Sequence, residues 1–197
     1  MHISLQAHEK KIPVVRASYG AGSIPLDWGA FVPLWYCLPH EGNGPQIVII
    51  TPNPDLSYDS HIELGRIITA SAAKLGRRLG FIASADWSHT HRADGPYGFH
   101  PASKECDSRI EQIIRKGDLF ELQELPEELI ENAKIDGIWP SLMLAGGMGA
   151  ASDQGVILYG ELITYSCPTY FGMLCAAYSQ RGQVTNKAAD SFPFKSE

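Results

Sequence analysis

Residues 84–103 read SADWSHTHRADGPYGFHPAS and hold three of the chain's seven histidines, His89, His91 and His100. Imidazole is the one side chain whose ordinary pKa lets it take up and release protons near neutrality, so this stretch could carry general acid/base chemistry. His89 follows a short apolar run, FIASAD, where a strand should end and a side chain can leave the core for a cleft. The Asp86-x-Ser88-His89 spacing puts polar partners nearby that could set its tautomer, and the spacing does not say which one does. His91 lies two residues on, so in an extended backbone both rings face the same way. Gly95, Pro96 and Gly98 then turn the chain back, with Tyr97 between them.

Other chemistries find less support. An H-x-H pair with a distant third histidine is a thin basis for a three-histidine metal site, and His2, His8, His40 and His61 stand in unpersuasive contexts. His61 reads as first-turn residue of its helix. The glycine-rich LAGGMGAASDQG follows an apolar helix, not a strand, and has no lysine, so it is neither a P-loop nor a dinucleotide fingerprint. Ser88 is not a nucleophile elbow, because G-x-S-x-G is absent. Asp136 and Glu161 are isolated carboxylates. Trp28, Trp35, Trp87 and Trp139 suit a core or a pocket wall. Cys37, Cys106, Cys167 and Cys175 make no C-x-x-C pair and read as reduced, mostly buried thiols, not as a zinc site.

His89 depends on the surrounding elements for its position. The chain has 197 residues, the size of one domain able to bury a core without staples. Its formal charge of -6, without a Lys/Arg run, argues against nucleic acid and against a membrane surface. MHISLQAHEKKIPVV has no apolar signal core and no window is long enough to span a membrane, so a cytoplasmic location is expected. KKIPVVRAS reads as a short buried strand centred on Val14 and Val15, and PQIVIITPNP as a strand buried on both faces. WGAFVPLWYCL opens a helix capped by Asp27, with Pro33 about one turn in. SHIELGRIITASAAKLGRRLG is the clearest helix, with Ser60 as cap, Glu63 closing a capping box and Gly80 as stop. Its Leu64, Ile68, Ala72 and Leu75 share a face.

SKECDSRIEQIIRKGD and PEELIENAK are helical, and WPSLMLAGGMGA is a buried helix ending near its glycines. VILYGELITY alternates as a strand, TYFGMLCAAYS closes the domain, and residues 182–197 form a polar tail. Strand and helix in alternation predict an α/β fold: one domain over residues 1–181 with a mixed, largely parallel central sheet flanked by helices. In such sheets ligands bind beyond the carboxyl ends of the strands, where the histidine stretch lies.

Four segments in order extend this reading. SADWSHTHRADGPYGFHP resembles the catalytic loop of the class III extradiol ring-cleavage dioxygenases, the family of the protocatechuate 4,5-dioxygenase β subunit and the aminophenol dioxygenases. IPLDWGAFVPLWY is similar to that family's Leu-Asp-His-Gly…Val-Pro-Leu segment, AKIDGIWPSLMLAGGMG to its late helix and ELITYSCPTYFGMLCAAY to its closing segment. The resemblance runs from about Ile12 to Tyr178 and implies an oxidoreductase of aromatic catabolism. Such enzymes hold one Fe(II) through two histidines and a glutamate and open a catechol- or aminophenol-like ring with O2. The resemblance gives His89 the acid/base role and makes His91, Trp28 and Tyr97 substrate-binding residues.

The departures shape the alternatives. The family's two iron-binding histidines lie ahead of the segments matched here, so the chain is expected to represent the C-terminal two-thirds of the domain, as a homo- or hetero-oligomer. Trp28 stands at the histidine of the Asp-His-Gly pattern, and indole is a donor only. Asp136 falls near the metal glutamate, with a shorter reach. Two readings stay open: a ring-cleaving enzyme whose iron histidines come from elsewhere, or an iron-free subunit or aromatic-binding homologue. A hydrolase using His89 and His91 with another ion lacks a third ligand.

Overall fold

The computed structural model describes residues 2–16, 26–39 and 42–180. His40 and the polar tail over 182–197 lie outside the described residues. In chain order the elements are α1 (His2–Glu9), α2 (Trp28–Cys37), α3 (Tyr58–Lys74), α4 (Ala102–Lys116), a 3-10 turn (Leu119–Glu124), α5 (Glu127–Ala133), α6 (Ile138–Ser152), β1 (Tyr159–Ser166) and β2 (Met173–Ser179). The class is mixed helix and strand.

Asp27 caps α2 as expected, its side chain accepting from the Ala30 N–H at 3.0 Å, and the helix runs through Pro33. The cap of α3 is Ser57, not Ser60. Its Oγ accepts from the Ser60 N–H, which starts the helix three residues earlier than the Ser60–Glu63 pattern implied. The helix ends at Lys74, not at Gly80, because Gly76 takes the left-handed φ of 62° that stops it. Leu75, placed on the buried face by periodicity, is therefore beyond the last turn and exposed.

Two apolar clusters organise the packing. The larger joins α4, the 3-10 turn, α5 and α6 around Cys106, Ile110, Leu122, Ile138 and Leu142, with Trp87 at its edge. The smaller joins Ala7 and Ile12 to Leu64, Ile67, Ile68 and Met143. Ser71 Oγ donates to Gln6 Oε1 at 2.9 Å and Lys10 pairs with Glu63 at 3.3 Å, which lays α1 along α3. Helices α3 and α6 touch backbone to backbone. A Cβ on Gly65 would lie 1.8 Å from the Met143 carbonyl oxygen, and one on Gly146 1.9 Å from that of Ile62. The glycines of LAGGMGA thus permit helix contact, and α6 continues past them to Ser152.

The strand pattern departs most from expectation. Among the described residues the sheet has two strands, β1 and β2, paired antiparallel from Tyr159↔Ser179 to Ser166↔Met173. The largely parallel central sheet is not seen. Residues 12–16, 46–50 and 81–86 carry no regular secondary structure and no ladder partners among the described residues. Val14, Ile50 and Phe81 pack on the smaller cluster, but Val15, Val48 and Ile82 face outward, Val48 at 72% exposure. An apolar β-branched run encodes extended backbone; burial on both faces needs neighbours that the run itself does not encode. The cysteines also differ: Cys106 is buried, whereas Cys37, Cys167 and Cys175 are exposed.

Candidate active site

The stretch Asp86–His91 is sewn in place from two sides. The Trp87 N–H donates to the Gly172 carbonyl at 2.9 Å, the Gly172 N–H to Ser88 at 2.9 Å, and the His91 N–H to Tyr170 at 3.2 Å. Between them the His89 N–H turns the other way, to the Ala133 carbonyl at 2.8 Å. The backbone is thus not regularly extended, and His89 and His91 meet different partners.

His89 Nδ1 lies 2.7 Å from the Lys134 carbonyl oxygen. A carbonyl only accepts, so Nδ1 carries the proton and Nε2 keeps its lone pair free. The expected polar orienter of His89 is therefore not Asp86 or Ser88 but a main-chain group 45 residues away. Lys134 can present that carbonyl because it ends α5 in the left-handed region, φ 55° and ψ 53°. This conformation is costly for a residue with a Cβ and is found where structure demands it.

Aromatic rings surround the imidazole. Phe171 is near-parallel to it at 5.8 Å, Tyr97 meets it edge-on at 5.8 Å, and Tyr170 lies at 6.1 Å. Tyr97 was legible in the loop. Tyr170 and Phe171 come from the segment before β2, and no spacing rule links them to His89.

Two carboxylates share the neighbourhood. The loop after α5 packs on the strand end: a Cβ on Gly137 would meet the Trp87 ring at 2.8 Å. This brings Asp136 beside Asp86. Removal from water pushes the Asp86 carboxyl above the usual carboxylate range, and His89 draws it back. Asp136 is likewise raised, first by desolvation although one side stays open to solvent; His89 lowers it and Asp86 raises it. A raised carboxyl binds its proton more tightly in the folded chain than in the unfolded one, so stability is lost as pH rises through the raised value. Asp136→Asn is therefore expected to raise the melting temperature at neutral pH. The gain should fade as pH falls toward the ordinary aspartate pKa of about 3.9. Thermal melts across pH check this, and a lower neutral-pH melting temperature would refute it.

His91 is engaged elsewhere. Its Nε2 donates to Asp107 Oδ2 at 2.8 Å, and Tyr165 donates to the same oxygen at 2.6 Å. Burial and this bond push the Tyr165 phenol up. Asp107 also accepts the Ser88 N–H on Oδ1 at 3.1 Å and is 2% exposed. The ring expected to meet substrate thus has one nitrogen committed to a buried carboxylate. Asp107 was missed, though its signal was present: it sits on the inner face of α4 with Ser103, Ile110 and Ile114. His100 Nδ1 accepts the Ala102 N–H at 3.2 Å at the start of α4. His61 is buried, with Nδ1 2.9 Å from the Ser57 carbonyl.

Of the other candidates, Trp28 is 80% exposed at the start of α2. That turn adjoins the histidine stretch, since a Cβ on Gly29 would lie 3.9 Å from Ser84 Oγ. Trp35 is also exposed and Trp139 half-buried, so among the tryptophans Trp87 alone is buried. Asp136 stands with Asp86 and His89. Even so, among the described residues no group of three or more His, Cys, Asp or Glu could hold a metal ion. Among the described residues the donors do not make the two-histidine, one-carboxylate iron site that the resemblance implies.

Residues 1–171 match the family described as the catalytic LigB subunit of aromatic ring-opening dioxygenase. The chain belongs to this family. A curated relative, Protein CA_C1420 of Clostridium acetobutylicum, is 30% identical over 168 residues, which cover 81% of this chain and 34% of that protein. The chain therefore spans about a third of the length of the relative it matches. No helix among the described residues is long and apolar enough to cross a membrane.

Proposed function

We propose that this LigB-family chain carries the acid/base part of an extradiol-type ring-cleaving site for a catechol- or aminophenol-like substrate. The observation that carries the reading is the His89 ring, held by the Lys134 carbonyl at 2.7 Å so that Nε2 is the free base. Nε2 takes a proton from a substrate hydroxyl within hydrogen-bond reach and later returns one as the ring opens. Asp86 and Asp136 are the carboxylates beside this ring. Phe171, Tyr170 and Tyr97 offer ring faces and edges to an aromatic substrate. Trp28 closes the substrate site from the start of α2, and His91 steadies the loop through Asp107.

Fe(II) and O2 are the co-reactants this family reading calls for. The residues described leave the iron donor set incomplete, with Asp136 as one carboxylate candidate; in the enzyme reading the remaining ligands come from another segment or from a partner in a homo- or hetero-oligomer. A cytoplasmic location accords with this chemistry. The second reading is an iron-free subunit or aromatic-binding homologue, favoured by Trp28 where the family pattern has histidine.

Anaerobic Fe(II) binding, scored as iron per chain after desalting, tests the donor set, and an activity screen separates the two readings. Without added partner, retention well below one iron per chain is expected. Near-stoichiometric retention by this chain alone would overturn the incomplete donor set. Ring opening in a catechol and aminophenol screen, with iron and any co-purifying chain supplied, supports the enzyme. Tight aromatic binding without O2 uptake supports the homologue.

A further inference from the structure

We infer that Asp107 is a positioning residue for His89, holding both the histidine stretch and the aromatic wall that faces it. The inference deepens the reading of His89 as proton carrier and rests on it. Asp107 lies on α4, away from the His89 ring, and its two carboxylate oxygens receive three donors. Ser88, immediately before His89, gives its N–H to Oδ1; His91, two residues after it, gives Nε2–H to Oδ2. Both flanks of His89 are thus tied to one buried group.

The same carboxylate supports the opposite wall. A Cβ on Gly172 would lie 2.2 Å from Asp107 Oδ2, so the segment carrying Tyr170 and Phe171 passes directly over the carboxylate, and only a glycine fits there. That segment bonds back to Trp87 and Ser88 through Gly172. Tyr165, near the end of β1, adds the third donor at 2.6 Å. A buried carboxylate persists only when its lone pairs are satisfied, and here two of the three partners, Ser88 and His91, flank His89 in the chain. With His91 donating from Nε2, its tautomer is also opposite to that of His89, whose proton is on Nδ1.

Asp107→Asn offers one oxygen and one N–H₂ where three donors converge. The expected result is a folded chain in which His89 loses its tautomer preference. Imidazole 15N shifts, read in alkaline buffer where the ring is neutral, should show the Nδ1–H to Nε2–H ratio falling about tenfold, the equivalent of one lost hydrogen bond. Tyr165→Phe, which leaves two donors in place, should move the ratio in the same direction by less; it decides the matter if Asp107→Asn does not fold. In the active assembly, kcat should fall and KM should rise, because the histidine stretch and the aromatic wall lose the same support. An unmoved His89 tautomer in a folded variant overturns the inference. The tautomer readout needs no turnover, so failure of the reading of His89 as proton carrier shows separately, as full activity in His89→Ala.

Discussion

Replacing His89 with alanine is expected to lower ring-opening turnover by about a hundredfold to ten-thousandfold, the usual contribution of a positioned acid/base group. The loss should fall on kcat more than on KM, because Phe171, Tyr170 and Tyr97 remain as walls for the aromatic ring. The fold should survive. The imidazole is only half-buried, and the Lys134 carbonyl it leaves behind opens to water, which can replace the lost donor. O2 uptake in the assembly that shows turnover, set beside a thermal melt of the same variant, measures both. Wild-type turnover in His89→Ala would remove His89 from the chemistry. A collapsed melting temperature would make it a structural residue instead.

Gly65→Ala and Gly146→Ala are each expected to destabilise the chain by about 3 kcal/mol. Intrinsic helix propensity points the other way, since alanine is favoured over glycine by about 1 kcal/mol inside a helix. Sterics decide the sign. The added Cβ would stand 1.8 Å from the Met143 carbonyl oxygen at one site and 1.9 Å from the Ile62 carbonyl oxygen at the other, and backbone cannot step aside as a side-chain tip can. Gly149 is the control. Its Cβ would meet only the end of Arg66 at 3.0 Å and Phe120 at 3.7 Å, so Gly149→Ala should be neutral or stabilising. Urea midpoints for the three variants test the contrast, and equal midpoints for Gly65→Ala and Gly149→Ala would contradict a backbone contact between α3 and α6.

What could be read without coordinates follows the range of the signal. Local signals succeeded: the Asp27 cap, the helices over SKECDSRIEQIIRKGD and PEELIENAK, and the alternation that became β1. Signals with two local meanings were harder. Ser57 and Ser60 are both competent caps, and the glycine pair in α6 reads equally as a stop or as a close contact. PQIVIITPNP announces extended backbone, but whether a ladder forms depends on neighbours that no local pattern names. At the site, His89 and Tyr97 lay in one loop and were found together. Tyr170 and Phe171 reach it from more than 80 positions away. Asp107 gave a usable sign, a carboxylate on the apolar face of an amphipathic helix. Lys134 gave none, because the group that matters there is one every residue has.

That last point bears on how the site tolerates variation. The acceptor that selects the His89 tautomer is main-chain, so no codon change at position 134 can delete it. Codon changes alter instead how cheaply residue 134 holds φ 55° and ψ 53°. Glycine relieves the strain and asparagine tolerates it, whereas valine, isoleucine and proline are shut out by their own sterics. Substitutions at 134 are therefore sorted by backbone geometry and not by charge or polarity. Drift in the His89 tautomer can begin at a residue whose side chain takes no part in it.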